Sequence, residues 1–410
     1  MVDYLSDEAK FYIITSNKDY LETSSYPDIA SNTWIDYNGN TKVMYIDDSE
    51  NHKLLFENQV RQIQPNSIYI NGVYSPKYSI LPLKVAQSLK HQNIIVSTRG
   101  MLSSHAFSSK SLKKKLFLKV AILLGWYKKV TFHVTNHDEK NAVQQFFPKN
   151  KIVVLENFPR KVTSTENPSS KFKNQQSSLI NNKLSIVSVA RISIEKNTKF
   201  VFEVLSLLAE KVVTERTLED TERSRSVSTS SRNASLDITL DIYGSIYNPA
   251  YWNQCLEIAK LLPDTIRVNY KGEIHPDKVI ETFAQYDIAF MPSLGENFGH
   301  SILESFIAGT PVITSTNTPW RNLMSSDVSY TSHLTSHISF SNKLSFINNQ
   351  SVGADLSLDD PQKFVDVLND FLSLTSEQKF QLSENAFQYA KKVTDNKALV
   401  SGYLKMFEEK

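Results

Sequence analysis

A single cysteine, Cys255, stands in 410 residues, and glycine is scarce, with 11 in all and none before Gly39. One thiol excludes an internal disulfide and any cysteine-based metal site, and it fits a reducing compartment. Neither sign of charge is in excess: 45 Lys and Arg against 43 Asp and Glu leave a net +2. That balance argues against nucleic acid as the main partner, since such binding needs a concentrated basic surface. Long apolar runs are missing too, and no window reaches the roughly 18–20 uninterrupted apolar residues of a membrane-spanning helix. The opening MVDYLSDEAKFYIITSN is acidic with only a short apolar run, unlike a secretory leader. A cytoplasmic chain follows, soluble or at most peripheral on the inner face of the cytoplasmic membrane.

What is present is enough apolar sequence, 40% of the chain, to bury two cores. In the first half FYIIT, KVMYI, SIYI, NIIVST, VTFHVT and KIVVLEN read as buried parallel strands separated by helical stretches. Residues 1–160 are therefore expected to form one doubly wound α/β domain. Residues 161–183, rich in Ser, Asn and Lys, read as a linker. The pattern restarts with LSIVSVA, ITLDIYG, IRVNYKG, DIAFMPS and TPVITS, which predicts a second α/β domain over 184–390. A helix from about residue 197 to 212 should bury Phe200, Val201, Val204, Leu205 and Leu208. The Ser-rich, mixed-charge stretch 214–235 reads as a disordered insertion, and a second Ser-rich insertion follows Trp320. A C-terminal helix over 391–410 is expected to pack back on the first domain.

The chemistry concentrates in MPSLGENFGHSILESF, where Glu296 and Glu304 stand eight positions apart. A helix starting near Gly299 places Glu304 on an inner turn and leaves Glu296 in the preceding loop. The N–H groups around Phe298 to Ser301, with the helix dipole, make an anion site, and carboxylates beside it suit hydroxyls. A phosphorylated, polyhydroxylated ligand satisfies both. The plainer alternative is that Glu296 caps the helix and Glu304 is an exposed helix residue. In SVARISIEKN, Arg191 follows a strand and Lys196 precedes a helix; two cations at strand ends can neutralise a diphosphate.

VARISIEKN, DIYGSI, VNYKGEI, MPSLGENFGHSILES and GTPVITSTNTPW, in this order, resemble the donor domain of family-4 glycosyltransferases of the GT-B fold, and the first half is similar to that family's bacterial capsule and polysaccharide members. The resemblance implies two Rossmann-like domains facing across a cleft, and retaining, metal-independent, hexosyl-type transfer from a nucleotide-diphosphate sugar to a glycan or lipid-linked acceptor in capsule, O-antigen or other polysaccharide assembly. No cofactor is implied, the nucleotide sugar being a co-substrate, and no D-x-D motif of metal-dependent transferases occurs. Carried over by residue, Arg191 and Lys196 would hold the diphosphate, and Glu296 with Asn297, Phe298, Gly299 and His300 the donor sugar. Glu304 would bind the ribose, and Gly244 with the turn Gly272, Glu273 and Ile274 would frame the nucleotide. On the acceptor side Arg99, Gly100 and His105 are the candidates.

One departure from that family is that no glycine-rich loop precedes Gly39, so the chain reads as lacking the first strand and loop. That departure keeps open a catalytically impaired nucleotide-sugar-binding subunit, and the shared fold keeps open a GT-B sugar-nucleotide epimerase, whose additional acid/base carboxylates are not identified in the sequence. His133 with His137, and His333 with His337, have i, i+4 spacing but no H-E-x-x-H context, so no metal site is expected. Seven lysines within residues 110–129 surround Leu116, Phe117, Val120, Ile122, Leu123 and Trp126. That stretch reads as a helix with an apolar core face that could also dock on an anionic membrane surface.

Overall fold

The computed structural model describes residues 1–18, 24–49, 51–102, 111–160, 183–223, 236–324, 329–330 and 350–408. It divides into two compact units, Met1–Lys161 with Asn396–Lys410, and Val162–Asp395. His105, His333, His337, nearly all of the expected linker and residues 224–235 lie outside the described residues.

In the first unit, strands β1 (Phe11–Ser16), β2 (Trp34–Asp36) and β3 (Thr41–Ile46) make one sheet. β1 and β3 run parallel, but β2 is antiparallel to β3, which corrects the expectation of parallel strands alone. The turn is the reason: Gly39 has φ +63°, and Tyr37 N–H donates to Thr41 O at 2.8 Å. Asn-Gly between extended runs is a hairpin signal. Residues 1–10 form α1 (Val2–Leu5) and the turn after it, and α2 (His52–Ile63) follows β3.

Strands β4 (Ile68–Asn71), β5 (Ile94–Ser97), β6 (Thr131–Val134) and β7 (Ile152–Val154) form a parallel sheet in that order. Successive side chains of a strand point to opposite faces, and both faces are covered. Ile94, Val96, Phe132 and Val134 join Leu83 and Ala86 of α3 (Leu81–Ser88), Leu118 of α4 (Ser111–Leu123) and Val143 of α5 (His137–Phe146). Ile95 faces the other way, towards Leu399, Tyr403 and Met406 of the closing helix, Lys397–Glu408. A methyl group added at Gly402 of that helix would lie 2.6 Å from Leu155 Cδ2, so the glycine permits the close fit.

The second unit is built on a six-stranded parallel sheet. Its strands are β8 (Lys183–Val189), β9 (Asp237–Tyr243), β10 (Ile266–Gly272), β11 (Ile288–Met291), β12 (Val312–Ser315) and one at Gly353–Leu356, in the spatial order β10, β9, β8, β11, β12, Gly353–Leu356. Leu184 and Ile186 of β8 face α6 (Thr198–Arg223), α7 (Pro249–Ala259) and Pro361–Leu372, while Val187 and Val189 face α8 (Val279–Phe283), α9 (His300–Ile307) and Ser376–Thr394. With helices on both faces the strands are apolar on both sides, which is why they read as continuous apolar runs. α6 buries Phe200, Val201, Val204, Leu205 and Leu208 as expected. It runs on to Arg223, which corrects the disordered reading from residue 214 to that point. TERTLEDTER has a single apolar residue, Leu218, but three Glu and two Arg, good helix formers that offset its three Thr and one Asp, so backbone propensity carries the helix past its apolar stretch.

Candidate active site

In the second sheet the chain reverses its direction of travel at β8 and β11. β9 and β10 lie to one side of β8, and β12 lies beyond β11 on the other. The carboxyl ends of two neighbouring strands at such a reversal diverge and leave a crevice. The loops that leave β8 and β11 hold the residues singled out from sequence.

The loop after β8 is drawn onto the loop after β9. Ala190 N–H donates to Tyr243 O at 3.0 Å, Ile192 N–H to Ser245 O at 2.9 Å, and Tyr247 N–H to Ile192 O at 3.2 Å. Gly244 makes this approach feasible: its φ is +135°, and a Cβ there would sit 2.1 Å from Ala190 O. Gly244 N–H also donates to Gly272 O at 2.8 Å, so the ends of β8, β9 and β10 are tied together. Gly272, at φ +78°, turns the chain into exposed Glu273, while Ile274 packs partly into the core.

Arg191 leaves this knot exposed, its guanidinium carbon 5.2 Å from the centre of the Tyr247 ring. Among the described residues it forms no ion pair, so its charge is available to an anion. Lys196 differs. It ends the short helical turn Ile194–Lys196, and its ammonium is paired with Glu296 Oε1 from the loop after β11. Ser293 Oγ donates to the same oxygen at 2.8 Å, and Leu294 N–H donates to Glu195 O at 2.8 Å. Opposite charges from two loops therefore close over the strand reversal. Hydrogen bonds from its own backbone N–H and from the Ser193 hydroxyl hold the Glu195 carboxyl below the usual range.

α9 starts where the sequence placed it. Gly299, at φ +78°, is its N-cap, and Ile302 N–H closes the first turn onto Gly299 O at 3.0 Å. Trp320, fully buried, donates from Nε1 to Phe298 O and lies 3.0 Å from where a Gly299 Cβ would be. The helix end is thereby fixed with its first-turn N–H groups at the crevice. Phe298 is placed otherwise than a ligand contact requires: its ring is buried against Trp320 at 5.6 Å between centroids. Its carbonyl oxygen is engaged by the indole. His300 is exposed on the first turn; Asn297 and Glu304 are half-buried, Glu304 one turn further on.

In the first unit, Arg99 and Gly100 follow β5 in left-handed backbone, at φ +49° and +72°. Arg99 donates from Nε and Nη2 to Asn71 Oδ1 at 3.1 and 3.0 Å, and from Nη1 to Asn157 Oδ1 at 2.8 Å. The buried Glu139 carboxylate holds the turn, accepting from Gly100 N–H, Thr98 Oγ1, Thr135 N–H and Thr135 Oγ1. Beneath lies His133, which accepts from Tyr69 OH at Nδ1 (2.7 Å) and donates from Nε2 to Leu155 O (2.9 Å). Burial pushes its pKa down to about 4, so it is a neutral structural histidine near pH 7. Burial pushes the neighbouring Glu156 carboxyl up to about 7. Among the described residues no cluster of three or more His, Cys, Asp or Glu could hold a metal.

Tyr247, Ser293, Trp320, Asn71, Asn157 and Glu139 went unread in the sequence. Tyr247, three residues beyond the singled-out Gly244, and Asn157, beside a strand end, stood where a strand-end rule could have found them; Trp320 and Glu139 carry no local signal.

Residues 170–331, within the second unit, match the family model described as glycosyl transferases group 1. A search of curated proteins returned no match. Among solved structures the chain resembles Anabaena HepE in complex with UDP and glucose, with a TM-score of 0.58 and 13% identity over 90% of this chain and 86% of that one. It also resembles the sucrose-phosphate synthase of Thermosynechococcus elongatus, with a TM-score of 0.59 and 13% identity over 97% and 88%. A UDP-forming trehalose-phosphate synthase from Burkholderia xenovorans gives a TM-score of 0.59 and 7% identity over 98% and 99%. The chain thus has the GT-B fold of these glycosyltransferases, and its second unit carries the sequence pattern of glycosyl transferases group 1.

Proposed function

We propose that the protein is a sugar-nucleotide-dependent glycosyltransferase that moves a hexosyl-type sugar to a glycan or lipid-linked acceptor in polysaccharide assembly. The observation that carries this reading is the convergence of exposed Arg191, the Lys196–Glu296 pair and the amino end of α9 at the reversal of a parallel sheet. When the bond from the sugar to the diphosphate breaks, negative charge grows on the leaving group. Arg191, which forms no ion pair among the described residues, meets that charge directly. Lys196 is shared with Glu296, so it links the phosphate end of the donor to the sugar end. The first-turn N–H groups of α9 add fixed dipoles that need no rearrangement during the step. In this reading Glu296 and Asn297 to His300 hold the sugar, Glu304 the ribose, and Gly244 and Gly272 to Ile274 the rest of the nucleotide. The transfer retains configuration and needs no metal. Arg99 and Gly100 serve the acceptor, and an anionic membrane face is where a lipid-linked acceptor is met.

A panel of nucleotide sugars, uridine diphosphate sugars first because HepE was crystallised with UDP, is to be screened by thermal shift in the presence of EDTA. A cognate donor raises the melting temperature by linkage. Glu304→Ala should then lose about 10- to 150-fold in nucleotide affinity, the worth of about 1.5–3 kcal/mol for a bond to an ionised acceptor. Unchanged affinity in a folded variant refutes the ribose role. Nucleotide release that depends on added acceptor separates a transferase from an epimerase or a binding subunit.

A further inference from the structure

The lysine-rich segment is not an ordinary surface helix. One face of α4 is buried, with Leu118 and Ala121 in the core of the first unit and Phe117 packed against it. The opposite face is apolar as well: Leu116 is 65% exposed, Val120 40%, Leu123 85% and Leu124 59%. These positions follow i, i+4, i+7, i+8, one stripe of a helix, and the helical hydrogen bonding continues past Leu123 through Leu124 N–H to Val120 O at 2.9 Å. With Ile122, nine consecutive positions hold five of the fifteen exposed large apolar side chains among the described residues. Lys113, Lys115 and Lys119 rim the stripe, Lys128 and Lys129 lie beyond its end, and Lys84 sits 4.8 Å over the Trp126 ring.

The charge around the stripe is segregated on a longer scale. Between Glu57 and Asp138 the sequence has 12 Lys or Arg and no Asp or Glu, so the rest of the chain has 33 cations against 43 acids. A second copy packed on this stripe about a two-fold axis would set lysine rim against lysine rim. A bilayer with acidic headgroups fits both features, taking the leucines below the headgroups while the lysines reach up to the phosphates.

We propose that α4 and the turn after it, through Leu116, Val120, Leu123 and Leu124, insert into the surface of an anionic bilayer. The binding is then by apolar insertion and charge together, not by lysine attraction alone. This deepens the reading of a membrane-borne acceptor, and it is tested without turnover so that either can fail alone.

The full chain is to be floated with vesicles of phosphatidylcholine alone and with phosphatidylglycerol added, at low salt and at about 1 M salt, where the Debye length is about 3 Å. The expected result is binding to phosphatidylglycerol vesicles, part of which survives high salt, and weak binding to phosphatidylcholine. The double variant Leu116→Ser with Leu123→Ser, both exposed, should keep the wild-type melting temperature and nucleotide-sugar thermal shift and lose at least about tenfold in vesicle affinity. Lys115→Gln with Lys119→Gln should weaken low-salt binding and leave the salt-resistant part. Absence of vesicle binding overturns the proposal, as does a double leucine variant that binds like the wild type. So does light scattering that shows a wild-type dimer dissolved by the leucine changes, which would assign the stripe to a second copy.

Discussion

The strand ends of the two units solve the placement of a cation in opposite ways. In the second unit Lys196 is paired with a carboxylate, Glu296, and Arg191 beside it rests on the ring of Tyr247. In the first unit Arg99 has two amide oxygens, Asn71 and Asn157, as partners. An amide oxygen fixes a guanidinium without cancelling its charge, and among the described residues three of the five N–H donors of Arg99 are engaged. A carboxylate partner cancels charge but can share its cation with an arriving anion. The first edge is thus set rigidly in advance, whereas the second contains a pair that a ligand must enter.

The largest effect should come from closing the crevice floor of the second unit. Gly244→Ala forces a Cβ onto Ala190 O in backbone that other residues avoid, and should cost about 3–5 kcal/mol of stability together with nucleotide binding; denaturant melts and thermal shift check both. Next come the two cations. Arg191→Ala should lower turnover by about 100- to 1,000-fold with stability unchanged, as removing one preorganised donor does. Lys196→Ala should lower turnover too, but also destabilise by about 1–3 kcal/mol, because Glu296 is left half-buried without its partner. Equal stability in the two variants breaks the distinction between a free and a paired cation.

A smaller effect is written into the first unit by two titrations that oppose each other. The folded chain keeps a proton on Glu156 up to about pH 7, while a free carboxyl loses it near 4.5, so this group subtracts stability as pH rises through that window. His133 titrates near 4 when folded, against 6.5 when free, so it adds stability as pH rises over nearly the same range. The wild type should be almost flat there. Glu156→Gln leaves the histidine contribution alone: the variant's stability should climb with pH and exceed the wild type by about 1–2 kcal/mol at pH 7, a figure discounted for partial solvent exposure. Stability melts at pH 4.5, 6 and 7 read this. The smallest effect is Asn157→Asp, which gives Arg99 a carboxylate as Lys196 has; it should add no more than about 1 kcal/mol above pH 5. A larger gain would show that the amide pair leaves Arg99 strained.

The parallel strands were legible because burial on both faces leaves long apolar runs, as in IIVS at Ile94–Ser97, and α9 was legible because Gly299 marks its start. What escaped depended on partners remote in sequence. Nothing near Lys196 says that Glu296, 100 residues on, will neutralise it, and Arg99 meets Asn71 and Asn157 at separations of 28 and 58 residues. Docking by α4 was read from its lysines, but the exposure of its leucines was not, and for a different reason. Apolar residues all round a helix normally mean burial all round, and only the packing shows that Leu123 was left outside. Conversely α6 outran its apolar face because propensity, a weak signal beside packing, was unopposed there.

The closing helix sets an order of events during synthesis. Tyr403 OH donates to Glu156 O at 2.8 Å, Asn93 donates to Phe407 O at 3.0 Å, and Leu5, Ile95 and Phe158 are buried together with Leu399 and Met406. The first unit to leave the ribosome is therefore the last to be finished, since one face of its sheet waits for residues made more than 230 positions after Lys161. The second unit is continuous in sequence and can be complete by then. Through most of translation a nascent chain shows an uncovered apolar sheet face, and a stop codon just after Asp395 would make that interval permanent.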